Sequence, residues 1–137
     1  MNKSDLLRLV LIGVIATQTE SAQSRAYAKF GTGGETLGLF NLVKEPSTCG
    51  EWRSYAGRVG PTRLSVRARM TTYRFTLRTG TESSVSLAFT LDRDELRMGD
   101  VENLLSRNHA LTVRACRRRN RTWTVDEITK TEQIPHS

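Results

Sequence analysis

Two observations predict a mainly β domain of five strands, with one short helix between the third and fourth, closed into a barrel. Five stretches alternate apolar and polar residues with a period of two, as strands with a single buried face do. One segment between the third and fourth stretches switches to helical spacing. Strands that are apolar on one face bury that face, and lose their unpaired edges, by curling into a closed sheet. The 137 residues leave room for one such core, and 37% hydrophobic with 26% charged residues is an ordinary balance for a soluble globular chain.

The chain divides into four parts. In residues 1–28, Lys3 and Arg8 precede an apolar run from Leu9 to Ala16, and a polar stretch ends at Ala26-Tyr27-Ala28 before Lys29. This is the layout of a secretory signal peptide, with an apolar run too short to span a bilayer, and it implies a periplasmic or secreted protein. Asp5 and the length of the polar stretch leave a second reading open. It is a retained amphipathic helix capped by Ser4, with Leu6, Leu7, Val10, Leu11 and Val14 along one side, in a cytoplasmic protein. Residues 29–50, rich in Gly, Ser and Thr, read as an irregular leader with a short apolar turn over residues 37–43. Residues 51–130 make the barrel, and 131–137 a tail.

Within the barrel, the first strand runs over residues 52–68, with Leu64, Val66 and Ala68 on one face, and Gly57, Gly60 and Pro61 bend it. The second places Tyr73, Phe75 and Leu77 against Arg74, Thr76 and Arg78. After a tight turn at Thr79-Gly80-Thr81, the third alternates Val85, Leu87, Phe89 and Leu91 with Ser86, Ala88 and Thr90. Asp100 is the expected N-cap of the helix, Val101, Leu104 and Leu105 its buried side, and Asn108 its stop. The fourth strand alternates Leu111, Val113 and Ala115 with Thr112, Arg114 and Cys116. Arg118-Arg119-Asn120-Arg121 turns the chain into the fifth, which carries Trp123, Val125 and Ile128. A fragment of a β-sandwich is the competing architecture.

The order β-β-β-α-β-β over residues 51–130 resembles the OB-fold, a five-stranded Greek-key barrel that binds oligonucleotides and oligosaccharides. Tyr55-Ala56-Gly57-Arg58-Val59, Tyr73-Arg74-Phe75-Thr76-Leu77 and Thr79-Gly80 are similar to the "G-x-V … Y-x-F-x-D-x-T-G" progression of the bacterial periplasmic OB-fold proteins. That family is associated with envelope stress tolerance and with small-ligand or protein contacts. Leu77 and Arg78 stand where the family carries an acid, so no functional residues carry over. The OB topology pairs the first and fourth strands antiparallel, which brings the start of one beside the end of the other. Cys49 and Cys116 would then meet and form a disulfide, and closing so long a loop stabilises by roughly 3–5 kcal/mol through the unfolded state. Parity puts Cys116 on the outer face, so the bridge would pin the leader across the barrel. The alternative is two unpaired thiols.

Charge points to a partner. Lys and Arg total 21 against 14 acids, for a net charge of +7, and all of the cations but Lys3, Lys29, Lys44 and Lys130 are arginine. Arginine presents a planar fork of donors that matches phosphate, sulfate and carboxylate, although a codon bias would give the same ratio. Seven arginines and no acid fall in residues 52–81, and six with no acid in residues 107–121. OB domains bind on the face around the second and third strands, between the loop after the first strand and the loop before the fifth. Arg67 and Arg69 would sit in the first of these loops (residues 67–72), Arg117, Arg118, Arg119 and Arg121 in the second, and Arg74 between them. A polyanion, either single-stranded nucleic acid or an acidic glycan or lipid headgroup at the envelope, is the implied ligand, with a protein partner or a merely solvated basic face as the other readings. Tyr73, Phe75, Phe89 and Trp123 share parity with the aliphatic core, so no base-stacking platform stands out.

Chemistry is conspicuous only by absence. No nucleophile–base set, phosphate loop or metal-binding spacing occurs, and Gly31–Gly34 lies outside a strand-to-helix turn. Asp92, Asp94 and Glu95 would fit a metal-dependent nuclease, but they adjoin Arg93 and Arg97 in a solvated connection. The expectation is a binding protein with no catalytic residues, cofactor or metal.

Overall fold

The computed structural model describes residues 25–118 and 122–131. Seven strands form one mixed sheet: β1 (Tyr27–Phe30), β2 (Thr36–Phe40), β3 (Glu51–Arg67), β4 (Met70–Arg78), β5 (Ser84–Asp92), β6 (Ala110–Arg117) and β7 (Trp123–Lys130). Among the described residues one α-helix, α1 (Met98–Leu104), lies between β5 and β6, and a 3-10 turn spans Pro46–Thr48. The mainly β, barrel-like class is as the alternation predicts; the count of five strands is not. Nor does the helix lie between the third and fourth strands: two strands precede those the alternation shows, so it falls between the fifth and sixth. Residues 29–50, expected as an irregular leader, complete β1 and contain β2. Thr36, Leu37, Gly38, Leu39 and Phe40 hide their period of two because Thr36, Leu39 and Gly38 are all buried. The expected signal-peptide region 1–28 lies largely outside the described residues, except that Ala26 is buried and Tyr27 and Ala28 belong to β1.

β3 organises the sheet. Residues 51–58 pair antiparallel with β6, and residues 58–67 pair antiparallel with β4, with a register shift between Val59 and Thr62. The shift bends the strand where Gly57, Gly60 and Pro61 had indicated. Gly57 is held to glycine by a close approach: a Cβ there would stand 2.1 Å from the Arg78 carbonyl oxygen. β4 pairs with β5 antiparallel, β5 meets β7 in a short parallel rung at Leu87–Trp123 and Ala88–Thr124, and β7 pairs antiparallel with β6. Following these pairings from β3 leads back to β3. Beyond the short β5–β7 rung, β2 takes over the edge of β7, with Leu39 opposite Ile128.

The core lies inside this curve. Tyr73, Phe75, Leu77, Leu87, Phe89, Leu91, Leu111, Val113, Ala115 and Val125 are buried, as their parity requires, and Val59 and Ile128 join them. Leu64, Val66 and Ala68, the expected apolar face of the first strand, are instead exposed beyond its bend. Tyr73 and Phe89 stack with ring centroids 5.1 Å apart, and Phe75 meets Phe89 edge-on. Val101, Leu104 and Leu105 of α1 close the core from one side together with Leu39 and Leu42. Arg97, not Asp100, holds the N-cap position; Asp100 lies in the first turn, where its charge complements the helix dipole. Asn108 takes up a left-handed φ of 72° beyond the helix and accepts Arg78 on its side-chain oxygen and Arg58 on its carbonyl. No described helix is long and apolar enough to cross a membrane.

Two devices fasten the N-terminal segment. Cys49 and Cys116 form a disulfide across 67 residues of sequence, with Cα atoms 5.5 Å apart. Cys116 is fully buried rather than surface-facing, although it stands apart from the main core cluster. The segment carrying Cys49 covers it, and Gly50 donates to the Arg117 carbonyl at 3.0 Å. The second device is Glu95. Its carboxylate accepts the backbone N–H groups of Ala26 and Asp92, each at 3.0 Å, and pairs with Lys44. Burial pushes the Glu95 carboxyl up, but the hydrogen bonds from Lys44, Ala26 and Asp92 outweigh it and hold the group below its ordinary value.

Two outcomes follow from this packing. Gly57→Ala forces a side chain against the Arg78 backbone and lowers stability by about 1–3 kcal/mol in denaturant unfolding, whereas Gly99→Ala, in open space, does not. Because the folded-state pKa of Glu95 is depressed, its stabilisation is present above the unfolded carboxylate value near ~4.3 and is lost as pH falls through the folded value. Amide exchange at Ala26 and Asp92 therefore accelerates in acid, and Glu95→Gln abolishes that acid step at a cost of about 1–2 kcal/mol.

Candidate anion-binding groove

The arginines fall into two sets once their partners are known. In the first set the charge is taken up within the fold. Arg69 pairs with Asp94 and lies 3.7 Å from Asp92, at the tip of the β3–β4 hairpin. The acids that resembled a metal cluster are thus the partners of Arg69 and Lys44, and the described residues hold no group of three or more His, Cys, Asp or Glu fit for a metal. Arg114 pairs with Asp126 at 3.1 Å and lies over the Trp52 ring. Arg117 and Arg53 both grip Glu51, at 2.6 and 2.7 Å, and both guanidinium groups lie over Trp123, whose edge meets Tyr55. The Glu51 carboxylate raises the pKa of Arg53 further above its already high value. Register places Glu51, Arg53, Tyr55, Arg117 and Trp123 on the inward-facing side of their strands, so this cluster plugs one end of the barrel.

The second set faces outward and has no such partners. Outside the core, β4 presents Thr72, Arg74 and Thr76, and β5 presents Ser86, Ala88 and Thr90, with the Thr72 and Thr90 hydroxyls hydrogen-bonded at 2.9 Å. One concavity of about 700 Å³ runs over Arg63, Arg74, Thr76, Ser86 and Thr122 and contains no acid in its lining. A second, of about 410 Å³, runs over Met70, Thr72, Arg74, Thr90, Arg118 and Lys44, with Glu45 as its one acid. Both are lined by Arg74 and Ala88, so they form a continuous groove across β4 and β5. Arg118 reaches it from the loop after β6 with its Nε buried and without a hydrogen-bond partner.

The seven arginines singled out from sequence are therefore dispersed. Arg74 and Arg118 come together in one groove, joined by Met70 from the β3–β4 hairpin. Arg67 is exposed on the outer face beside Met70 but does not line the groove. Arg69 and Arg117 are engaged by acids, and Arg119 and Arg121 lie outside the described residues. The expected loop over residues 67–72 is only a two-residue turn, with Ala68 at a φ of 55°, because Met70, Thr71 and Thr72 already belong to β4. Arg63 and Lys44 escaped the sequence reading. Arg63 could be found only from the register across the bend, and Lys44 only from the path of the segment before the disulfide. Trp123, expected in the core, is half-buried against it, lines the larger concavity together with Phe75, and has the guanidinium groups of Arg53 and Arg117 over its ring.

Comparison with protein-family models, with curated proteins and with solved structures finds no match.

The partition of charge has a direct consequence. Arg117→Ala removes a brace from Glu51 and Trp123, lowering stability by about 0.5–1 kcal/mol and shifting tryptophan fluorescence. Arg74→Ala, which loses no partner, leaves both unchanged.

Proposed function

We propose that this chain is a non-catalytic binding protein that takes an anionic polymer, single-stranded nucleic acid or acidic glycan, along the groove over β4 and β5. The observation that carries the reading is the convergence of Arg74 and Arg118 on one groove in which Glu45 is the only acid among the described residues. Each guanidinium that neutralises an anionic group releases counterions, so affinity comes with steep salt dependence. The groove supplies hydroxyls and guanidinium groups, and of its aromatic lining Phe75 is buried in the core and Trp123 carries the guanidinium groups of Arg53 and Arg117. This favours recognition of backbone, phosphate or sulfate over recognition of bases.

We assign the barrel to the OB type. Support comes from the ring of pairings β3–β4–β5–β7–β6–β3, the parallel rung between β5 and β7, and the helix between β5 and β6, with β1 and β2 added to the ring as an N-terminal hairpin. The site lies where OB barrels bind, on the face of the second and third ring strands. We place the protein outside the cytoplasm, in the periplasm or secreted. The buried disulfide supports this, since such bonds persist in oxidising compartments. A second reading, protein contact without a nucleic-acid role, is favoured by Tyr27 and Phe30, each 50% exposed on β1.

Retention on immobilised heparin and on oligonucleotide, measured against salt, tests the assignment. The expected result is binding that falls steeply between low and moderate salt. Arg74→Ala and Arg118→Ala each reduce the slope by about 1 and weaken binding uniformly across sequences. Absence of retention on both matrices at low salt overturns it.

A further inference from the structure

Arg63 and Arg74 stand directly opposite one another where β3 pairs with β4. Paired residues project from the same face, and like charges in that position repel. Neighbouring arginines in this sheet have their charge or their donors engaged: Arg58 and Arg78, also directly opposite, share Asn108, and Arg69 has Asp92 and Asp94. Arg63 and Arg74 are exposed and have neither ion pair nor hydrogen bond among the described residues. Both line the larger, acid-free part of the groove, beside the hydroxyls of Thr76, Ser84 and Ser86. The fold thus holds two guanidinium forks, unneutralised among the described residues, side by side over a concavity lined both by hydroxyls and by the apolar side chains of Val85, Leu87 and Ala88.

We infer that Arg63 and Arg74 form a seat for one tetrahedral oxyanion group, a phosphate or sulfate ester, at the end of the groove away from Arg118. A tetrahedral ester presents three free oxygens, enough to accept from two forks at once. Its negative charge relieves the repulsion that the empty pair carries, a nearly doubly charged phosphate monoester more fully than a singly charged sulfate ester. A lone carboxylate has two coplanar oxygens, which one fork takes up bidentately, leaving the other guanidinium without an acceptor. The hydroxyls donate to the remaining oxygens. In the polymer this is the position of a terminal or branch ester, so the inference deepens the polyanion reading and rests on it for the identity of the whole ligand. The seat itself is testable without the polymer.

The experiment follows thermal unfolding of the full chain in inorganic sulfate, inorganic phosphate and chloride at equal ionic strength, for wild type, Arg63→Gln, Arg74→Gln and the exposed control Arg107→Gln. Wild type and the control gain a few degrees in Tm in sulfate or phosphate over chloride, and both groove variants lose that gain. In chloride the two groove variants are no less stable than wild type, because repulsion has been relieved; a purely structural role would lower them. Equal anion-dependent gains in wild type and both variants overturn the seat, even if the chain still binds heparin with steep salt dependence. An intact anion response without polymer retention upholds the seat and overturns the polyanion reading instead. Paired ligands then separate the sources: a 5′-phosphorylated against a 5′-hydroxyl oligonucleotide, and a sulfated against a desulfated oligosaccharide. Loss of the ester weakens binding roughly tenfold in whichever series supplies the natural group, and no loss in either overturns the assignment.

Discussion

The structure depends on one strand serving two partners. β3 gives its first half to β6 and its second half to β4, and the handover falls at residues 58–62, where the register shifts. A straight strand of 17 residues would extend a flat sheet; a bent one turns β6 away from β4 and lets the remaining strands complete the circuit. The bend is possible because the Arg78 carbonyl packs directly on Gly57, where no side chain intervenes, and because Val59 is fully buried as the pivot. Burial of Leu77, Leu111 and Val113, and the curvature of the outer face on which the groove lies, both follow from that handover.

Closure remains incomplete where β5 and β7 share only a short rung, and the N-terminal segment makes up the difference. β2 pairs with the free part of β7, Thr36 reaches Asp100 and Asn103 of α1, and Leu42 enters the core. Asp126 receives the Val43 N–H, Glu95 holds Ala26 and Lys44, and the disulfide fixes Cys49 under the end of β6. These attachments also shape the groove, because Leu42, Lys44 and Glu45 form one wall of it and Arg118, two residues beyond Cys116, another. The disulfide thus ties the segment that carries the first wall to the strand that leads into the second.

Charge on this molecule divides by function rather than by number. Glu51, Asp92, Asp94 and Asp126 neutralise the arginines that brace the fold, including the pair over Trp123. The outward faces of β4 and β5 receive no such compensation. An exposed guanidinium without an ion pair contributes little to folding, and one that stands opposite another is opposed by repulsion. Exposed residues at the far end of the same hairpin, Leu64 and Val66, lie on the other face of β3 and do not enter the groove.

Much of the barrel was legible in the chain because its signals are local. Tyr73, Phe75 and Leu77, or Leu87, Phe89 and Leu91, announce a buried face through a period of two that needs no knowledge of the neighbour, and Val101, Leu104 and Leu105 do the same for the helix. The meeting of Cys49 with Cys116 was legible one step later, from strand order. The hairpin at residues 27–40 was not, since its buried Thr36 and Gly38 carry no apolar pattern and gain their burial only from α1 and β7. The candidate site was half-legible for a related reason. Sequence alone determined that arginines would crowd two regions and that Arg74 would face outward, because parity and composition are properties of the chain. Only the tertiary structure decided that Arg69 and Arg117 are spent on acids while Arg63, Arg74 and Arg118 remain, because an ion pair depends on which strands a bulge and a handover bring within reach.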